Sequence, residues 1–170
     1  LTKKLKNPTI IQGFPSAGLV STIAVKFLID HLDVEEVGYI ESEHLTPLTA
    51  IHKSKIINPI TIFYNKKYNL IIVQSLTEVT GYEWEVATTL TDLAKEVDAK
   101  ELIILESMPS TQGELEVYYF SNKTLQKMLE SADFHVVKSC IDNKMLRHFL
   151  YFPIDLVVNV KNIIFIICMV

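Results

Sequence analysis

The stretch Pro8-Thr9-Ile10-Ile11-Gln12-Gly13-Phe14-Pro15-Ser16-Ala17-Gly18-Leu19-Val20, continued by Ser21–Leu32, decides the expected fold. A short β-type run over Pro8–Gln12 stops at Gly13. The loop Gly13–Gly18 is rich in Gly and Pro and reads as a turn. A helical pattern then covers Ala17–Leu32. Ala17, Val20, Ala24, Phe27 and His31 mark one face, and Ile23, Leu28 and Leu32 widen it. The polar stripe of Ser21, Thr22, Lys26 and Asp30 is narrow. A helix this apolar is expected to be mostly buried, covered by a sheet on one side and by something else on the other. Strand, tight turn and apolar helix together open an α/β fold.

Working outward, Val34–Ile40 reads as a strand and Thr46-Pro47 breaks the chain. Ala50–Ile57 is a weaker extended segment. Ile60–Tyr64 and Leu70–Gln74 flank Asn65–Asn69 as a hairpin. The continuous run Leu70-Ile71-Ile72-Val73 suits a central strand covered on both faces. Thr80-Gly81-Tyr82-Glu83 has the spacing of a capping box and opens a helix to about Asp98, with Val86, Leu90, Leu93, Ala94 and Val97 inward. Glu101–Leu105 is another continuous apolar strand. Met108–Gly113 is a loop, Val117–Phe120 a short strand, Asn122–Ala132 a helix and Phe134–Cys140 a strand. Strands alternating with helices imply a three-layer α/β domain: a mostly parallel central sheet flanked by helices, with one hairpin.

The chain has 170 residues, 49% hydrophobic and 21% charged, which fits one globular domain and excludes a disordered or fibrous chain. With 16 Lys+Arg against 20 Asp+Glu, the net charge of −4 gives no overall basic surface for nucleic acid. Two cysteines, Cys140 and Cys168, build neither a disulfide framework nor a Cys-x-x-Cys zinc site, and a reducing, cytoplasmic setting is expected. The start, Leu1 followed by Lys3, Lys4 and Lys6, lacks the apolar run of a signal peptide. From Phe149 to Val170 the chain is very apolar, but Pro153, Asp155, Asn159, Lys161 and Asn162 interrupt it. A membrane span is therefore disfavoured. Two buried strands, Leu156–Val160 and Ile163–Met169, are expected instead. Residues 1–145 form the α/β domain, and 146–170 an atypical apolar segment of the same domain.

The chemistry is thin. Gly13–Gly18 has the Gly-x4-Gly spacing of a P-loop, but Leu19-Val20 stand where Lys and Ser or Thr are needed. Pro15 breaks the dinucleotide-binding pattern. Ser16 is expected to cap the helix. As a nucleophile it would need Gly at position 14, which is Phe14, and a nearby base. His31 lies at the far helix end, about 22 Å away at 1.5 Å per residue. In open α/β sheets, ligands bind beyond the carboxyl ends of strands. There the candidate binding residues are Gly13, Phe14, Pro15, Ser16, Gly18, Glu78 and Glu106, with Glu78 and Glu106 converging in one crevice. Their bland alternative is loop and helix-capping work. Glu41 and Glu43, alternating about Ser42, read as one solvated strand face. His31, His44, His52, His135 and His148 have no metal-site spacing, so no metal or cofactor is expected.

Ile10–Val20, Phe27-Leu28-Ile29-Asp30-His31-Leu32 and Val37-Gly38-Tyr39-Ile40-Glu41-Ser42-Glu43 together resemble the opening of the proteasome assembly chaperone family, particularly its archaeal members. Tyr82–Ala99 and Lys100–Glu106 resemble that family's middle helix and strand. The likeness covers about Pro8 to Cys140. It implies a non-enzymatic α/β chaperone or scaffold that self-associates and helps proteasome α subunits assemble. The alternative is a small-molecule-binding domain, or a hydrolase- or phosphorylase-like enzyme, working at the strand-end crevice. Met145–Val170 departs from the family pattern: it contains no glycine, and its end, Cys168-Met169-Val170, is not the hydrophobic-Tyr-any tail of some relatives. That segment reads as truncated or divergent.

Overall fold

The computed structural model describes residues 1–45, 50–52, 55–109, 116–121 and 163–169. Strand β1 (Thr9–Gly13) leads through a 3-10 turn (Ala17–Leu19) into helix α1 (Val20–His31). Next come β2 (Glu35–Ile40), β3 (Ala50–His52), β4 (Lys55–Ile57), β5 (Ile60–Asn65) and β6 (Leu70–Ser75). Helix α2 (Glu83–Glu96), β7 (Glu101–Met108), β8 (Glu116–Ser121) and β9 (Ile163–Met169) complete the described elements. The expected helix at 122–132 and the expected strands at 134–140 and 156–160 lie outside the described residues. So does the segment 146–170 apart from β9, which forms where a strand was expected.

The strands of the main sheet run in the order β2-β5-β6-β1-β7-β9-β8. β1 pairs in parallel with β6 and β7, and β7 with β9. The pairs β2–β5, β5–β6 and β8–β9 are antiparallel. The class is α/β, with a parallel centre and antiparallel margins. β6 shows why an unbroken apolar run marks a central strand: all six of its residues are buried. At the β5–β6 turn, the Asn65 carboxamide accepts the Tyr68 N–H at 2.9 Å and donates to the Asp33 carbonyl at 2.8 Å, which pins the hairpin to the end of α1.

Side chains alternate across the sheet. Ile10, Ile71, Val73, Leu102 and Ile104 face α2, which contributes Val86, Ala87, Leu90, Leu93 and Ala94 to the same cluster. The opposite face presents Leu70 and Ile72 to Val25 of α1, with Ile11, Leu28, Ile29, Leu32 and Leu105 packed around them. This gives the three layers.

Four local expectations need correction. The segment at 50–57 is not one extended piece but a separate two-stranded ribbon, β3–β4, with Ile51 opposite Ile56. Residues 41 and 43 do not continue β2: the strand ends at Ile40, and Ser42 turns the chain by accepting the His44 and Leu45 N–H groups on its hydroxyl and carbonyl. Helix α2 starts at Glu83, not at a Thr80 cap. Gly81 (φ 95) and the Tyr82 N–H to Val79 bond form a tight turn that delays the helix, and Tyr82, with no side-chain cap bond, takes the N-cap place. Finally, α1 is not mostly buried. Only Ser21 and Val25 are fully covered, whereas Leu19, Ile23 and Phe27 are 52%, 62% and 58% exposed. The sheet covers one face of this helix, and nothing among the described residues covers the other.

Candidate functional site

The exit of β1 lies between the ends of β6 and β7, because Gly13 is in register with Gln74 on one side and Leu105 on the other. The ends of β1, β6 and β7 therefore lie side by side. Gly13 is a packing glycine. A Cβ there would lie 2.5 Å from Val25 Cγ1 and 2.6 Å from the Ser21 carbonyl oxygen, so α1 sits directly on the β1 backbone. Phe14 is buried in the α2-side core. Gly18 (φ 68) and Leu19 (φ 56) are both left-handed, and they bend the chain from the 3-10 turn into α1.

Ser16 does not cap the helix: no cap bond forms from its side chain. Its hydroxyl points across to β7, 2.8 Å from Ser107 Oγ, and lies 3.2 Å from Ser21 Oγ. The reason is the turn itself. The two left-handed residues that follow swing Ser16 over the strand ends and away from the first N–H groups of α1. Ser21 donates to the Phe14 carbonyl at 2.5 Å, and Ser107 donates to the Ala17 carbonyl.

Glu106 is buried beside this cluster. Burial pushes its carboxyl up to about 8, against the opposing effect of a hydrogen bond with Ser16. No Lys, Arg or His forms an ion pair with it among the described residues. Glu78 is exposed, and among the described residues no bond joins it to Glu106. Ser16 thus lies by Glu106, while Glu78 is turned to solvent. His31, at the far end of α1, is engaged with Phe27: their rings stack at 3.8 Å and His31 Nδ1 lies 2.8 Å from the Phe27 carbonyl.

Sequence reasoning missed Ser21, Ser107 and Gln12. Ser107 carried a signal, because Glu106-Ser107 is a polar pair ending an otherwise apolar strand. Gln12, one residue before the end of β1, is fully buried, and neither amide atom has a partner among the described residues. Chemically the cluster is a neutral acid among hydroxyls. No base among the described residues is hydrogen-bonded to the Ser16 hydroxyl. Among the described residues no group of three or more His, Cys, Asp or Glu gathers as for a metal, and no helix is long and apolar enough to cross a membrane.

The sequence model of the PAC2 family matches residues 10–144. An uncharacterized protein of Methanocaldococcus jannaschii is 26% identical over 152 residues, covering 85% of this chain. The chain spans 62% of that relative's length. Among solved structures, PbaA of Pyrococcus furiosus, described as an archaeal homolog of proteasome-assembly chaperone, superposes with a TM-score of 0.80 at 23% identity, over 99% of this chain and 70% of that one. PbaB of the same organism, described as an archaeal proteasome activator, gives 0.75 at 21% identity, over 99% and 77%. At these identities the two structures speak for the fold.

Proposed function

The chain belongs to the PAC2 family, and from that premise we propose that it is a non-enzymatic chaperone or scaffold that assists assembly of proteasome α subunits in the cytoplasm, acting as a homo-oligomer. The observation that carries this reading is the bare face of α1. Leu19, Ile23 and Phe27 are spaced by four residues and form one apolar stripe along the helix. A monomer gains nothing by exposing a row of large apolar side chains, whereas an interface does. The stripe is also self-complementary. Two antiparallel copies of α1 crossing at Ile23 would set Leu19 against Phe27 of the other copy, as a twofold interface requires.

The strand-end crevice supports the enzyme reading less well. Ser16 shares its hydrogen bonds with serines rather than with a base, and Glu106, held neutral near pH 7, is a poor proton acceptor.

Two experiments test the proposal. The full chain is expected to co-purify with proteasome α subunits, using a known assembly chaperone as the positive control; folded chain that never does so would overturn the partner. In size-exclusion chromatography with light scattering, Ile23→Glu is expected to lower the oligomer mass and leave the circular dichroism spectrum unchanged. Each charge buried at such a seam costs several kcal/mol, enough to shift association by at least about 100-fold. An unchanged mass would remove α1 from the interface.

A further inference from the structure

The strand register places several connecting segments at one end of the domain. β2 and β6 both run antiparallel to β5, so they run parallel to each other, and Ile40 and Ser75 flank Ile60 at the same level. The β3–β4 ribbon follows β2 in the chain and α2 follows β6, so both leave the sheet at its carboxyl edge, where β1 also ends. Bonds tie these pieces together. The Leu76 N–H donates to the Pro59 carbonyl at 2.8 Å, which fixes the return from the ribbon beside the end of β6. The Tyr82 hydroxyl donates to the Glu78 carbonyl at 2.6 Å. His44 Nε2 lies 3.8 Å from a Glu85 carboxylate oxygen, so the turn after β2 reaches the first turn of α2.

This end carries bare apolar surface. Ile51 and Ile56 stand directly opposite each other on the ribbon and are 78% and 68% exposed, and Trp84, in the first turn of α2, is 59% exposed. The ribbon pairs with no third strand among the described residues. Two strands alone in water are marginally stable, and an isoleucine pair across them stabilises most when another surface covers it. Trp is also a residue type in which binding energy concentrates at interfaces.

The charge beside this apolar surface decides what covers it. Residues 41–59 and 76–86 hold five glutamates, Glu41, Glu43, Glu78, Glu83 and Glu85, against two lysines, Lys53 and Lys55. Glu41, Glu43 and Glu78 are exposed and form no ion pair among the described residues. Such a surface repels nucleic acid and an anionic membrane. Two copies meeting on it face to face would set like charges together, which costs affinity. We propose that the carboxyl edge of the sheet, through the β3–β4 ribbon and the first turn of α2, is a docking surface for a basic protein segment that carries large apolar side chains. Ile51, Ile56 and Trp84 take its apolar side chains, and the glutamates take its Lys or Arg groups. The surface is separate from the α1 stripe and goes beyond self-association: the stripe meets a second copy, and this end meets a different chain.

Trp84 is the only tryptophan of the chain, so its fluorescence reads this site directly. The full chain is titrated with a synthetic amphipathic Lys/Leu helical peptide. The Trp84 emission is expected to move to shorter wavelength as the ring is covered, and the same peptide with every Leu replaced by Ser should bind about tenfold more weakly, a loss of about 1.4 kcal/mol. Glu78→Lys/Glu85→Lys and Ile51→Ser/Ile56→Ser should each weaken the Lys/Leu peptide by a similar factor. Glu36→Lys/Glu96→Lys, which reverses two exposed acids at the other end of the domain, should leave it unchanged. An unmoved wild-type emission, or equal binding of the Leu-free peptide, would overturn the proposal without recourse to any variant. Equal weakening by the two charge reversals would reduce the effect to net charge and overturn it too. A fall in oligomer mass for Ile51→Ser/Ile56→Ser would give the ribbon to a second copy instead. Ile23→Glu, which tests the α1 seam, should leave the titration as it is, so the failure of one reading is distinguishable from the failure of the other.

Discussion

Glu106→Gln is expected to leave stability nearly unchanged at pH 4 and to raise it strongly at pH 9. The wild-type carboxyl titrates near 4.5 when unfolded and up to about 8 when buried beside Ser16. Between those values the folded chain holds a proton that the unfolded chain has released, so stability falls as pH rises. Below about 4.5 both states are protonated and the contribution is fully present. Above about 8 both are ionised and its loss is complete. At about 1.4 kcal/mol per pKa unit, the whole window is worth roughly 5 kcal/mol as a ceiling, since a site that relaxes around the charge loses less. Gln is neutral throughout and nearly isosteric, so the variant lacks this slope. Thermal unfolding of both proteins at pH 4, 6, 7.5 and 9 checks it. At about 2–4 °C per kcal/mol, the Tm gap should widen to roughly 10 °C by pH 9. Two profiles that stay parallel would show that Glu106 is solvated or paired in the folded chain.

Much of this architecture was legible in the chain because burial writes itself into periodicity. The unbroken Leu70–Val73 run suits a strand covered on both faces, and β6 is buried throughout. Val86, Leu90, Leu93 and Ala94 repeat at helical spacing and are among the six residues that α2 buries. The gathering of Gly13, Ser16 and Glu106 followed from the rule that strand ends converge on ligand and loop sites in such sheets. What the Ser16 hydroxyl does could not be read. Capping is a local inference, whereas its actual partner is 91 residues away and reaches it only because β7 lies beside β1. The start of α2 was misplaced for a related reason: capping-box spacing states what Thr80 and Glu83 can do, but the left-handed Gly81 fixed where the helix begins. Gln12 gave no warning either, because a single polar residue in a strand is normal until its neighbours are known. For α1, the pattern showed correctly that both faces are apolar. It could not show that the described residues cover only one of them, leaving Leu19, Ile23 and Phe27 exposed on the other.

Gly13→Ala is expected to destabilise the fold by about 3 kcal/mol, at the upper end for a single added methyl in a packed interior. The position has no unusual φ, so the effect is one of contact. The new Cβ would meet Val25 Cγ1 at 2.5 Å, Val25 Cγ2 at 2.9 Å and the Ser21 carbonyl oxygen at 2.6 Å. The first two contacts belong to a side chain, and Val25→Ala removes both. The third belongs to the backbone of α1 and moves only if the helix lifts from the sheet. Lifting it would strip cover from Leu70 and Ile72, whose face α1 closes through Val25. The double variant Gly13→Ala/Val25→Ala should therefore recover only part of the loss relative to Val25→Ala alone, as a coupling of about 1 kcal/mol in a denaturant double-mutant cycle. Full recovery would place the clash in the valine alone and leave the helix free to ride higher. No loss in the single variant would mean that α1 does not approach β1 this closely. The motif that resembles a phosphate loop would then need a reason for its first glycine other than packing. With the loss as expected, Gly13 seats α1 against the sheet and turns the Leu19–Ile23–Phe27 stripe outward, so the same glycine that closes the fold also presents the proposed interface.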